Sequence, residues 1–214
     1  MIPEAVIFDF DGVIADTMGD NCRAWQKAFK SHGFDMSATE YYRLEGMGRF
    51  QIAEHFIEAY GLDPAIKKEV VEAKELNYKL DNSFKIYPGI PAIFKLLNRK
   101  NIPIAIVTGA SRDRIREHLT DNIAKNLASL ITADDVTHTK PHPEPYLKAV
   151  MHMHKKADQC IVVENAILGI QSAKAAGCRC FGIETTLDKS SLALADEVFA
   201  THQELLIKFE TILH

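Results

Sequence analysis

Two carboxylates, Asp9 and Asp11, stand two residues apart directly after the apolar run Ala5-Val6-Ile7-Phe8. The full stretch reads Asp9-Phe10-Asp11-Gly12-Val13-Ile14-Ala15-Asp16-Thr17. At the end of a strand both side chains converge on one point as the chain leaves the sheet, and Gly12 allows the sharp turn this requires. One carboxylate then attacks while the other gives or takes a proton. Two such groups resist ionising together, so one pKa rises unless a cation relieves the repulsion.

Other polar groups follow apolar runs in the same way. Thr108-Gly109-Ala110-Ser111 comes after Ile104-Ala105-Ile106-Val107. The Thr108 hydroxyl and the backbone N–H groups of Gly109 and Ala110 suit a phosphate oxygen, although a Ser111 N-cap accounts for the segment equally well when it is taken alone. After Leu130-Ile131-Thr132 come Asp134 and Asp135, read as a solvated turn, and then Lys140 just ahead of the proline-marked helix start Pro141-His142-Pro143. Lys140 places a fixed positive charge beside the carboxylates and a phosphate. His138 and His142 flank it in no metal-binding spacing. Glu164 and Asn165 follow Cys160-Ile161-Val162-Val163. They offer oxygen ligands to Mg²⁺, and Asn165 also suits the N-cap of the next helix. Together these residues make a negative cluster with one positive charge, which is chemically coherent once Mg²⁺ and a phosphoryl group are added.

The elements that must position them are legible. The runs above, with Cys180-Phe181-Gly182-Ile183 and Val198-Phe199, are short and mostly apolar on both faces, as in a parallel sheet covered on both sides. Helical periods lie between them. Ile90, Ile93, Phe94 and Leu97 recur at i, i+3, i+4 and i+7 after Pro88-Gly89, and Ala166 to Ala176 is an Ala-rich helix with Gly177 as its stop. Alternating strand and helix imply an α/β fold, a doubly wound, Rossmann-like parallel sheet. In such sheets ligands bind beyond the carboxyl ends of the strands, where these polar groups stand.

One region breaks the rhythm. From about Thr17 to Lys85 no strand signal appears, and helical segments run through Cys22–His32, Arg49–Tyr60 and Pro64–Leu80. A simple crossover needs far fewer than these roughly 70 residues. The expectation is a core of residues 1–16 and 86–214, with residues 17–85 inserted as a helical cap.

The bulk numbers set bounds. The 214 residues fit one α/β domain carrying an insert. A net charge of −4 without a basic stripe points to no nucleic-acid partner. No apolar stretch approaches the about 20 residues of a membrane span, and no signal peptide opens the chain. Cys22, Cys160, Cys178 and Cys180 match no zinc or redox spacing and read as buried thiols in a reducing cytosol. The expectation is a cytoplasmic protein, monomeric or homodimeric.

Taken in order, the four polar segments resemble the four motifs of the haloacid-dehalogenase superfamily. The resemblance spans the chain and is closest to the branch holding β-phosphoglucomutase and phosphoglycolate phosphatase, whose helical cap is inserted after the first motif. It implies that Asp9 is the nucleophile forming an aspartyl phosphate and Asp11 the general acid/base. It implies Mg²⁺ held by Asp9, the Asp11 backbone carbonyl, Glu164 and Asn165, and a phosphoryl group held by Thr108 and Lys140, with Gly109 and Ala110 beside them. In Leu44-Glu45-Gly46-Met47-Gly48-Arg49 it implies that Arg49 meets the distal part of the substrate, with Lys79 as a second basic group.

Three departures bear on activity. The fourth motif usually reads Glu-Asp, where this chain has Glu164-Asn165. The mutase carries a His in the first cap helix, at the position of Asn21 or a neighbour. Glu45 stands where a basic residue is expected. The resulting expectation is a Mg²⁺-dependent phosphatase acting on a small phosphorylated metabolite, of the sugar-phosphate or phosphoglycolate type. A β-phosphoglucomutase-like phosphomutase is the first alternative, and a catalytically dead metabolite-binding protein on the same scaffold is the second.

Overall fold

Alternate residues of the first strand serve opposite faces of the sheet. In β1 (Ala5–Phe8), Val6 and Phe8 enter one core cluster, while Ala5 and Ile7 enter another. The same division holds in β2 (Ile104–Val107), with Ile104 and Ile106 on one side and Ala105 and Val107 on the other. Strands buried on both faces need apolar residues at every position, and all eight of these residues are fully buried.

The computed structural model describes residues 2–119, 121–124 and 126–214. Its remaining strands are β3 (Leu127–Ile131), β4 (Cys160–Glu164), β5 (Arg179–Ile183) and β6 (Glu197–Phe199). The sheet order is β3-β2-β1-β4-β5-β6, with every neighbouring pair parallel. The chain proceeds outward from β1 on one side and then returns to its other side with β4. The switch in strand order therefore falls at the carboxyl end of β1, where Asp9 lies.

The helices are α1 (Met18–Lys30), α2 (Ala38–Arg43), α3 (Arg49–Ala59), α4 (Lys67–Leu80), α5 (Ile90–Arg99), α6 (Arg112–His118), α7 (Asp121–Ala124), α8 (Glu144–His152), α9 (Ile167–Ala175) and α10 (His202–Ile212). α5 and α10 pack together on one side of the sheet, and α8 and α9 on the other. Gly177 takes φ +81° after α9, the left-handed stop expected there. The four cysteines are free and buried. Among the described residues no helix is long and apolar enough to cross a membrane.

α1 to α4 lie between β1 and α5 and bury their own cluster, which includes Trp25, Phe29, Ile52, Phe56 and Val70. Three details differ from the sequence reading. α1 begins at Met18 rather than Cys22. α2 carries no strong apolar period and forms behind Ser37, whose side chain accepts from Glu40 N at 3.4 Å. β3 starts at Leu127, and Thr132 lies past its end, capping a turn through Asp135.

Candidate active site

β1 delivers Asp9 to the centre of the rim. Its backbone N–H donates to Val163 O at 3.0 Å, so sheet pairing with β4 fixes its start. Gly12 has φ +81°, and a Cβ there would stand 2.2 Å from Asn165 Nδ2. The turn that follows Asp11 is thus open to glycine alone. Lys140 is 2 % exposed, and its ammonium donates to Asp9 Oδ1 at 2.6 Å, Glu164 Oε1 at 2.7 Å and Val107 O at 3.3 Å.

Glu164 is saturated. Oε1 also accepts from the Tyr146 hydroxyl at 2.7 Å, and Oε2 accepts the backbone N–H groups of Asn165 and Ala166 at 2.9 and 3.2 Å. Gly169 makes room for it, since a Cβ there would fall 1.8 Å from Glu164 Oε1. Thr108 is buried at the end of β2, and its Oγ1 accepts from Ala110 N at 3.1 Å.

Burial pushes the Asp9 carboxyl up to about 7; Lys140 works against this while Glu164 and Asp11 add to it. Burial disfavours the Lys140 ammonium as well, but Asp9 and Glu164 overcome that and hold its pKa above the usual lysine range.

Asp11 sits in a separate polar network. Oδ1 accepts from the Thr17 hydroxyl at 2.6 Å and Asn21 Nδ2 at 3.2 Å, and Oδ2 accepts from the Arg114 guanidinium. Arg114 also donates to Asn21 Oδ1 at 2.8 Å. Burial opposes the ionised form of Asp11, but Arg114, the Thr17 hydroxyl and Lys74 together hold its pKa below the ordinary value. Asp9, Asp11, Asn21, Arg49, Lys74 and Arg114 all face one cavity of about 50 Å³.

A buried carboxylate beside a fixed ammonium, with a second carboxylate lining the same small cavity, is chemically suited to phosphoryl transfer. Comparison with known proteins decides the family. The family profile described as haloacid dehalogenase-like hydrolase matches residues 6–183. The chain belongs to the haloacid dehalogenase-like hydrolases. It is 30% identical over 204 residues to the validoxylamine A 7′-phosphate phosphatase of Streptomyces hygroscopicus subsp. limoneus, covering 90% of this chain and 91% of that protein. It is 32% identical over 177 residues to the fructose-1-phosphate phosphatase of Escherichia coli K12, covering 80% and 92%. A crystal structure of β-phosphoglucomutase from Clostridium difficile superposes with a TM-score of 0.82 at 26% identity, covering 100% of this chain and 97% of that one. This hydrolase is accordingly an enzyme of phosphoric monoesters.

In this family member the segment between α2 and α3 lies down on the core rim. Gly48 N donates to Thr139 Oγ1 at 3.2 Å, and the Arg49 guanidinium pairs with Asp134 Oδ1 at 3.3 Å. A Cβ on Gly109 would meet Met47 O at 3.1 Å and Gly46 O at 3.2 Å. Asn165 Nδ2 donates to Glu45 Oε2 at 3.0 Å and to Thr186 Oγ1 at 3.2 Å. Glu45 is 3 % exposed. Burial, and then the charges of Asp9, Glu164 and Asp11, push its pKa well above the carboxylate range.

The residues also fit a hard divalent cation. Among the described residues, Asn165 Oδ1 and Glu45 Oε1 are buried oxygens without a hydrogen-bond partner, and both residues line the cavity with Asp9 and Asp11. Buried polar atoms are nearly always satisfied, and oxygen donors are what Mg²⁺ takes. α9 is capped at Ala166 without a side-chain bond, so capping does not account for Asn165.

Of the residues singled out in the sequence, Asp9, Asp11, Thr108, Gly109, Ala110, Lys140, Glu164 and Asn165 share one rim, and Arg49 faces the cavity from α3. Lys79 does not. It is exposed, pairs with Glu117 at 2.9 Å and lines a separate cleft between α4 and α6. The buried basic group of α4 is Lys74, one turn earlier and on the stripe with Val70, Val71 and Tyr78. It stands 5.6 Å from the Trp25 ring and 5.3 Å from the Tyr78 ring. Burial and the neighbouring Arg114 bring its pKa down to about 8. The sequence reading missed Arg114 as well. Its signal was position: three residues past the Ser111 cap, in the first turn of the helix that follows β2, where side chains lean toward the rim. His138 and His142 cluster with Glu144 on the surface, away from this cavity, and their ring centroids are 4.5 Å apart.

Proposed function

We propose that this enzyme is a Mg²⁺-dependent phosphatase of small sugar phosphates working through an aspartyl phosphate on Asp9, and that residues 17–85 act as its cap. The observation that carries the mechanism is the buried Lys140 ammonium bonded to both Asp9 and Glu164. It keeps a positive charge beside the nucleophile, where the transferring phosphoryl group gathers negative charge.

Asp9 attacks phosphorus and the bond to the ester oxygen breaks. The departing oxygen takes a proton held by Asp11. Water then attacks phosphorus, gives a proton to Asp11, and the bond from phosphorus to Asp9 breaks. Thr108 and the Gly109 amide hold phosphoryl oxygens, the Ala110 amide joins them on leaving Thr108 Oγ1, and Lys140 offsets their charge. Asp9, the Asp11 backbone carbonyl and Asn165 would hold Mg²⁺, which neutralises charge on the phosphoryl group when bound. With all its donors in place, Glu164 serves this site by positioning Lys140. Before substrate arrives Asp11 is ion-paired with Arg114, so binding must loosen that pair for Asp11 to carry a proton.

Arg49 and Lys74 suit the polar or anionic far end of the substrate. A cavity of about 50 Å³ is well below the ~300–1,000 Å³ of small-molecule sites. The cap therefore lifts from the rim to admit substrate and settles again over it. That water-excluding arrangement is also what a phosphomutase requires, and the likeness to a β-phosphoglucomutase keeps that second reading open. Asn21 favours the phosphatase. Where the resemblance places the mutase's His, an amide fastened to Asp11 and Arg114 cannot relay a proton at neutral pH.

The test follows free phosphate and glucose 6-phosphate together, from β-glucose 1-phosphate with and without a bisphosphate primer, beside a panel of hexose and hexitol phosphates. Release of phosphate from several esters with little isomerisation is expected. Glucose 6-phosphate forming at least about ten times faster than free phosphate overturns the phosphatase in favour of the mutase.

A further inference from the structure

The resemblance expects a carboxylate at position 165 and a basic residue at position 45; this chain has Asn165 and, 120 residues away, Glu45. The two side chains meet, with Asn165 Nδ2 to Glu45 Oε2 at 3.0 Å. We propose that Glu45 is the carboxylate the divalent cation takes in place of the one missing at position 165, so that cation binding fastens the cap to the core. The proposal rests on the cation role given above to Asp9, Asp11 and Asn165.

Orphaned atoms carry it. Each residue of the Glu45–Asn165 pair keeps one buried oxygen, Glu45 Oε1 and Asn165 Oδ1, with no hydrogen-bond partner among the described residues. Both residues line the cavity beside Asp9. Glu45 has no Lys or Arg partner among the described residues, although Asp9 and Glu164 share the ammonium of Lys140. A buried carboxylate facing other carboxylates needs a positive charge. Glu164 cannot answer for the missing one, because its two oxygens already receive Lys140, the Tyr146 hydroxyl and two backbone N–H groups. The other oxygen-bearing residues that line this cavity are Asp9, Asp11, Asn165 and Glu45, and Mg²⁺ prefers sites with one or two carboxylates.

The location gives the arrangement a consequence. A carboxylate at position 165 would complete the site within the core whatever the cap does. A carboxylate at position 45 completes it only when the loop is down, with Gly48 N on Thr139 Oγ1 and Gly46 against Lys140. Cation affinity and cap closure are then linked, each favouring the other by the same free energy.

The experiment measures Mg²⁺ binding by calorimetry to the full-length protein and amide hydrogen exchange over residues 45–52, with and without Mg²⁺. It compares wild type, Glu45→Gln and the double variant Glu45→Gln/Asn165→Asp, each checked for folding by circular dichroism. Glu45→Gln should weaken Mg²⁺ at least about tenfold, the usual effect of losing a metal-site partner. The double variant should regain most of that affinity. Mg²⁺ should slow exchange of the loop amides in wild type and leave it unchanged in both variants. An unchanged Mg²⁺ affinity in Glu45→Gln overturns the proposal and leaves a neutral carboxylic acid–amide latch. If that variant does not fold, the wild-type exchange decides, since loop amides indifferent to Mg²⁺ overturn the coupling. Absence of Mg²⁺ binding to wild type overturns this proposal together with the cation role beneath it, which distinguishes the two failures.

Discussion

Replacing Lys140 with Met tests the electrostatic centre of the site. Lys140→Met keeps most of the stem that packs under Gly46 and removes the charge. In the native protein that ammonium lies 2.6 Å from Asp9 and 2.7 Å from Glu164, all three groups being less than a tenth exposed. Breaking a buried pair by removing one partner costs about 3–5 kcal/mol, because the other charge remains uncompensated. Here two carboxylates are left, and Tyr146 and two backbone amides still satisfy only Glu164. For a chain of this length such a loss lowers Tm by roughly 6–20 °C. The penalty must also depend on pH in one direction. Burial holds the Asp9 carboxyl up to about 7 in the folded protein, above its ordinary 3.8. Its contribution to stability is therefore complete below about 4 and is lost as pH rises through 7. Removing Lys140 raises the folded pKa further, so the variant should lie closest to wild type near pH 5 and fall furthest behind at pH 8. The assay is thermal unfolding of metal-free wild type and variant at both values. A loss under about 1 kcal/mol at pH 8, or a loss equal at the two pH values, refutes the claim that Lys140 neutralises this cluster.

Asp9→Asn keeps the shape and removes the attacking charge, so turnover should fall about 10³-fold or more with folding intact; activity within about tenfold of wild type ends the aspartyl-phosphate mechanism. Exhaustive chelation should abolish turnover and Mg²⁺ restore it, and full activity in chelator removes the cation from the scheme. The Lys74 ammonium, with its pKa held down to about 8, is charged below that value and neutral above it. kcat/KM for an anionic substrate should then fall as pH rises through 8, with KM carrying the change, and Lys74→Arg should erase that limb because arginine stays charged; an identical limb in the variant dismisses Lys74. Arg114→Met removes the main group lowering Asp11, so the Asp11 carboxyl, followed by carbon NMR, should titrate higher than in wild type, and an unmoved titration shows that the pair is not what holds it down.

How much of this was legible without coordinates depended on the kind of contact. β1 and β2 were read to the residue because strands buried on both faces leave uninterrupted apolar runs. The rim residues Asp9, Thr108, Lys140 and Asn165 were readable because each follows such a run, and a parallel sheet sends all its strand ends to one edge. Lys79 was legible as a basic residue of the cap and Lys74 was not, for the opposite reason. A charged residue is expected on a helix's outer face, and nothing local in α4 announces that Lys74 is buried between Trp25 and Tyr78. Arg114 had only its position after the Ser111 cap to announce it, because its partners, Asp11 and Asn21, lie 103 and 93 residues away. Glu45 and Asn165 lie 120 residues apart, so in the sequence they stand as two separate departures from the resemblance. In the structure the two side chains meet at 3.0 Å. A charge absent from the core is present on the cap, where it acts only in the closed protein. An account that treats position 165 alone expects a weaker cation site in every state. Taken with Glu45, the site is weaker only with the cap raised, and the cation becomes a sensor of closure.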